Sequence, residues 1–133
     1  MIKFRCYFMV TGKDASESDF LELRTVAGGR IDRSKRIVDS SVGYGDWRYM
    51  SEYVESDGEL PIGRLEQLLA KLCDAKSMFV KFPVRILQLQ VTVFGSARRL
   101  KGVSLDPTLI KMACELNAVV DVSVAFKPLQ KLD

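Results

Sequence analysis

Residues 2–11 alternate without interruption. Ile2, Phe4, Cys6, Phe8 and Val10 point one way, and Lys3, Arg5, Tyr7, Met9 and Thr11 the other. That period of two predicts a strand with one covered and one exposed face. Gly12-Lys13-Asp14 reads as a turn. Ser16 with Asp19 three residues on resembles a capping box, and Phe20, Leu21 and Leu23 continue a short helix over 17–25 that Gly28-Gly29 ends. Residues 30–38 mix Ile31, Ile37 and Val38 with Arg30, Arg33, Lys35 and Arg36, the pattern of an exposed or edge strand whose charges discourage edge pairing. Residues 39–45 read as a loop. Over 46–54 a further strand is expected, with Trp47, Tyr49 and Tyr53 on one face, ended by Ser56-Asp57-Gly58.

From Pro61 the period changes to 3.6. Leu65, Leu68, Leu69, Leu72 and Cys73 form one stripe, with Arg64, Glu66, Gln67 and Lys71 opposite, so 61–73 is a helix. Asp74 is placed to cap a second short helix carrying Ala75, Met78, Phe79 and Phe82, which Pro83 stops. Residues 84–94 alternate again, with Leu87, Leu89, Val91 and Val93 on one face. A basic turn from Gly95 to Gly102 follows, with Arg98, Arg99 and Lys101. Asp106-Pro107 starts the last helix, buried through Leu109, Met112, Ala113 and Leu116, and Asn117 suits its left-handed end. A final strand sets Val120, Val122, Val124 and Phe126 against Val119, Asp121, Ser123 and Ala125. Alternating strands need only one covered face. The expectation is one α+β domain over residues 1–133, a two-layer sandwich with a mostly antiparallel sheet of about five strands and helices packed on one side.

Composition narrows the chemistry. The 133 residues include no histidine. A Ser-His-Asp triad, a Cys-His pair and a histidine-ligated metal are therefore excluded. Cys6, Cys73 and Cys114 form no CxxC and read as reduced core thiols, which points to the cytoplasm. No signal peptide or membrane-spanning run is apparent, so no membrane partner is expected. Gly28-Gly29 and Gly43-Tyr44-Gly45 match no phosphate-binding pattern. Asp46, Glu52, Glu55, Asp57 and Glu59 cluster in sequence, yet nothing fixes a second carboxylate across a cleft as glycoside chemistry requires. No catalytic residue, cofactor or metal ligand is expected, and the chain is read as a non-enzyme.

The net charge of +3 is unevenly spread. Residues 38–60 carry six carboxylates and one arginine, net −5, between a +3 segment (1–37) and a +6 segment (61–101). Nucleic-acid binding is disfavoured, since the aromatics lie in the most acidic segment and no RNP-type motif occurs. Interface cores are rich in Trp, Tyr and Arg. The candidate partner-binding residues are therefore Tyr44, Asp46, Trp47, Tyr49, Glu52, Tyr53, Glu55 and Asp57, facing a basic partner surface. Trp47 suits a core position equally well.

Gly102-Val103-Ser104-Leu105-Asp106-Pro107-Thr108-Leu109-Ile110, followed by Ala118-Val119-Val120-Asp121-Val122-Ser123-Val124, resembles the ending of a bacterial domain-of-unknown-function family. Its members are small α+β proteins, several of them encoded beside polymorphic toxins as immunity proteins. Trp47 ahead of the leucine-rich helix also resembles the family's single tryptophan. Residues 24–45 depart from its usual Trp/Gly-rich loop. The resemblance implies a protein that binds a cognate toxin domain and covers its active site or target-binding surface, with an ADP-ribosyltransferase-type toxin as the preferred class. The alternative is a non-catalytic regulatory or ligand-binding domain unrelated to toxins.

Overall fold

The computed structural model describes residues 2–12, 15–39, 41–75, 85–95, 105–116 and 119–128. The predicted second short helix after Asp74, the basic residues of the 95–102 turn and Asn117 lie outside them. The alternation of residues 2–11 becomes β1 (Lys3–Gly12), in which Phe4, Cys6, Phe8 and Val10 are buried. Then come α1 (Glu17–Ala27), β2 (Arg30–Val38), β3 (Ser41–Met50), β4 (Val54–Asp57), α2 (Ile62–Asp74), β5 (Arg85–Phe94), α3 (Pro107–Glu115) and β6 (Val119–Lys127).

The sheet runs β2-β3-β1-β5-β6, and β4 also pairs with β1. Every pairing is antiparallel except β5 with β6, which α3 joins as a parallel crossover. The elements β1-α1-β2-β3-α2-β5 follow the strand order of a split βαβ unit, with α3 and β6 added at one side. The fold is α+β, with a mixed, mostly antiparallel six-stranded sheet and three helices alongside it among the described residues. The sixth strand arises because the expected strand at 46–54 is two strands.

Local chemistry explains the element ends. The Asp19 carboxylate accepts from the Ser16 backbone N–H at 2.8 Å, tying the first turn of α1. Asp106 accepts from the Leu109 N–H at 2.8 Å, and Pro107 fills the first position of α3. After α1 the chain turns through Gly28 and Gly29, at φ 74° and 84°. A Cβ on Gly29 would stand 2.2 Å from the Met50 carbonyl, so only glycine fits there.

One face of the sheet carries the core. Phe8, Val10, Tyr49, Leu87, Leu89, Val91 and Val93 meet Phe20 and Leu23 of α1, Leu65, Leu69 and Leu72 of α2, and Leu109 and Ala113 of α3. Cys6 is fully buried, and burial pushes its thiol up to about 11 against the opposing charge of Arg64. Cys73 is half-buried, whereas Cys114 is exposed on α3 and is not a core thiol. Periodicity placed Cys114 near apolar neighbours in sequence but beside the buried stripe.

Two expectations change in the β2–β3–β4 region. The loop expected at 39–45 shrinks to the tip of a hairpin, where Asp39 adopts φ 50°. Gly43 and Gly45 looked like loop residues but lie inside β3. Gly45 faces a β-bulge at Ser34, where a Cβ would stand 2.0 Å from the Ser34 hydroxyl. Second, the strand at 46–54 breaks at Ser51. The Ser51 N–H donates to the Phe8 carbonyl at 2.8 Å, while the Phe8 N–H donates to the Ser51 hydroxyl at 2.9 Å. The hydroxyl thus stands in for a ladder carbonyl. Met50 pairs with Met9 and Val54 with Cys6, so four steps on one strand match three on β1. That extra residue is a bulge, and it sends every later side chain to the opposite face.

Candidate functional site

Because the helices cover one face, the other carries the polar half of each alternation. On β1 these are Lys3, Arg5 and Tyr7. Their partners follow from the register: Lys3 faces Asp57, and Arg5 faces Glu55 on one side and Thr92 on the other. The bulge at Ser51 turns Tyr53, Glu55 and Asp57 onto this face. The Glu55 carboxylate takes the Lys3 ammonium at 3.1 Å and the Arg5 Nε at 2.8 Å. These two hydrogen bonds, Lys3 first, hold the Glu55 carboxyl below its usual range.

The Arg5 guanidinium lies between two rings, 5.7 Å from the centroid of Tyr53 and 5.3 Å from that of Phe94. Tyr53 also meets Tyr7 edge to face, at 5.1 Å and 80°. Arg30 reaches across from β2, and its guanidinium donates to the Tyr53 hydroxyl at 3.2 Å. Burial, and then the neighbouring Tyr53, raise the Tyr7 phenol above its ordinary value. Beside this cluster Arg48 Nε meets Asp32 at 2.6 Å. The result is a flat aromatic and arginine surface whose charges are largely matched within the sheet.

The eight candidate residues do not form one patch. Tyr53, Glu55 and Asp57 share the open face. Tyr49 lies on the covered face and is fully buried, so the expectation that it faces a partner is corrected. Its hydroxyl donates to the Gly28 carbonyl at 2.8 Å and fastens the end of α1 to the sheet. Burial, and then the charge of Glu52, push that phenol up to about 12, so it remains a donor near neutral pH. Trp47 is half-buried on the same side, packs against the core and holds the Arg33 guanidinium 5.5 Å from its ring centroid. Trp47, Tyr49 and Tyr53 therefore do not share a face, because the bulge falls between the second and the third. Glu52 is exposed beside Gly28, and Asp46 is exposed on β3. Tyr44 pairs through its backbone with Lys35, and its side chain lies outside the described residues.

The negative segment is likewise not a free acidic patch. Glu55 is neutralised by Lys3 and Arg5 from a strand some fifty positions earlier in the chain. The residues missed by sequence reasoning are Lys3, Arg5, Tyr7, Arg30 and Phe94. The polar half of the β1 alternation was their signal, though it does not reveal which strands lie alongside.

A second feature lies under α3. A cavity of about 100 Å³ opens between α3 and the sheet, with an entirely apolar lining that includes Leu69, Leu87, Leu89, Leu109, Ile110 and Val120. Among the described residues no helix is long and apolar enough to cross a membrane, and no group of three or more Cys, Asp or Glu side chains is placed to hold a metal ion. Compared with known protein families, curated proteins and solved structures, the chain matches none of them.

Proposed function

We propose that this chain acts by binding another protein, as an immunity-type protein that covers a cognate toxin domain with the open face of its sheet. The observation that carries the binding surface is Arg5, held between Tyr53 and Phe94 and anchored by Glu55. Tyr and Arg dominate binding hot spots, and side chains already locked in place lose little entropy on association. The toxin-neutralising role is what the resemblance of Trp47 and residues 102–124 implies. Occlusion needs no catalytic group on this chain, and three cysteines outside any disulfide suit a reducing cytoplasm.

The same face serves a single-stranded nucleic acid poorly. Stacking needs open ring faces, whereas Arg5 occupies those of Tyr53 and Phe94. Phosphate binding needs unspent cations, whereas Lys3 and Arg5 share the Glu55 carboxylate. The alternative, a regulatory domain with a small apolar ligand, draws on the cavity under α3. Its volume falls short of the ~300 Å³ at the small end of ligand pockets, so the sheet face is the better-supported surface.

The test is capture of a partner with the full chain as bait, followed by co-expression with the toxin domain so identified. Rescue of growth is the expected result. Arg5→Ala and Tyr53→Ala should each weaken the complex about thirtyfold, as a hot spot does. Continued growth arrest would overturn the immunity role, and unchanged affinity in both variants would move the interface off this face.

A further inference from the structure

The two edges of the sheet are built differently. β2, at one edge, carries Arg30, Asp32, Arg33 and Lys35 and holds a bulge, the usual protection against edge pairing. β6, at the other, pairs with β5 along its whole length and, among the described residues, with nothing on its outer side. Its sequence, VVDVSVAFK, has no proline and only two charges. Four of its apolar side chains stand in solvent, with Val119 63% exposed, Val120 43%, Val122 36% and Phe126 51%, while Val124 is half-buried against the core. α3 contributes to this exposure by packing towards α2, where the Cys73 thiol reaches the Met112 carbonyl at 3.4 Å.

The two charges decide what fits that edge. Asp121 and Lys127 lie opposite Gln88 and Phe94, hence on the open face, and are equally spaced about Val124. In an antiparallel pairing of two β6 strands about a two-fold axis at Val124, each Asp121 faces Lys127 of the second copy. That ion pair forms twice. On the helix side Val122 then faces Phe126 of the second copy, and the two Val124 side chains meet. Val120 and the half-exposed Ile110 of α3 flank that strip, since both line the cavity beneath α3. A one-residue slip would place the two helix layers on opposite faces, and a two-residue slip would lose both ion pairs.

We propose that two copies of this chain join edge to edge through β6, extending one sheet across both. The interface is self-complementary, as a two-fold contact requires. Being little more than a strand pair, it falls below the area of a permanent dimer, so a micromolar or weaker dissociation constant is expected.

Sedimentation velocity of the full chain over a concentration series tests this. The expected result is a monomer–dimer equilibrium that Asp121→Lys weakens about tenfold or more, because lysine then faces lysine twice. Lys127→Asp should do the same, and the double variant D121K/K127D should restore the dimer to within about threefold. Both side chains are exposed, and a circular dichroism melt of each variant checks that the monomer is intact. A chain that stays monomeric at the highest soluble concentration overturns the proposal. So does a dimer indifferent to Asp121→Lys, or one that the double swap fails to restore.

Discussion

The two faces of one strand, β1, show how a sheet divides its labour. Cys6 and Phe8 are buried beneath the helices, while Arg5 and Tyr7, which alternate with them, belong to the polar surface. The covered face is held by area removed from water, at about 25 cal/mol per Å². The open face is held by ion pairs and ring contacts that solvent weakens. Stability should therefore reside on the first face, and selectivity for a partner on the second.

Substitutions test that division. The largest loss is expected at the helix–sheet contact. Leu72→Ala, at a fully buried position, should cost about 3 kcal/mol in urea unfolding. Tyr53→Ala on the open face should cost less than about 1 kcal/mol by the same measure. Comparable losses would dissolve the distinction.

Ser51→Ala comes next. It leaves the buried Phe8 N–H without its acceptor and should cost about 2 kcal/mol in the same experiment. Tyr49→Phe keeps the ring and removes only the hydrogen bond to Gly28, so about 1 kcal/mol is expected. Hydrogen exchange should register that loss first at the C-terminal turn of α1.

The smallest effect belongs to the open face and appears only with acid. Glu55 has its pKa held below the ordinary 4.5 by Lys3 and Arg5. Its pairs stabilise the folded state above that pH and are lost as pH falls through the lowered folded value. Between about pH 5 and pH 3 the urea midpoint of the parent should fall more steeply than that of Glu55→Gln. Parallel curves would show the pairs to be energetically idle.

The layered α+β architecture was legible because its signals are local. The alternation of residues 2–11, the leucine stripe at 65–72 and the Asp106-Pro107 start each act within a few residues. What escaped depends on contacts far along the chain. Gly45 reads as a loop residue until Ser34 is placed across from it. Tyr53 reads as a companion of Trp47 and Tyr49 until Ser51 binds Phe8. Glu55 reads as a free carboxylate until β4 lies against β1. The alternation of the final strand is legible, but no periodicity shows that Val120, Val122 and Phe126 of its apolar half stay exposed. Within the candidate site, the acidic and aromatic half was found in sequence, and the Lys3, Arg5 and Phe94 half emerged only with the sheet.

The Ser51 bulge also bears on how this chain tolerates changes in length. Most surface segments absorb a gained or lost residue cheaply. Here, removing one residue between Met50 and Val54 would leave three steps to match the three from Met9 to Cys6. The bulge would close into a regular ladder, with Val54 still beneath the helices and Glu55 and Asp57 still on the open face. Keeping the length while losing the bulge would instead turn both carboxylates inward without partners, the costlier outcome. Residues 51–53 can therefore lose one member, and related chains aligned over β3 and β4 should include some with a single-residue gap there.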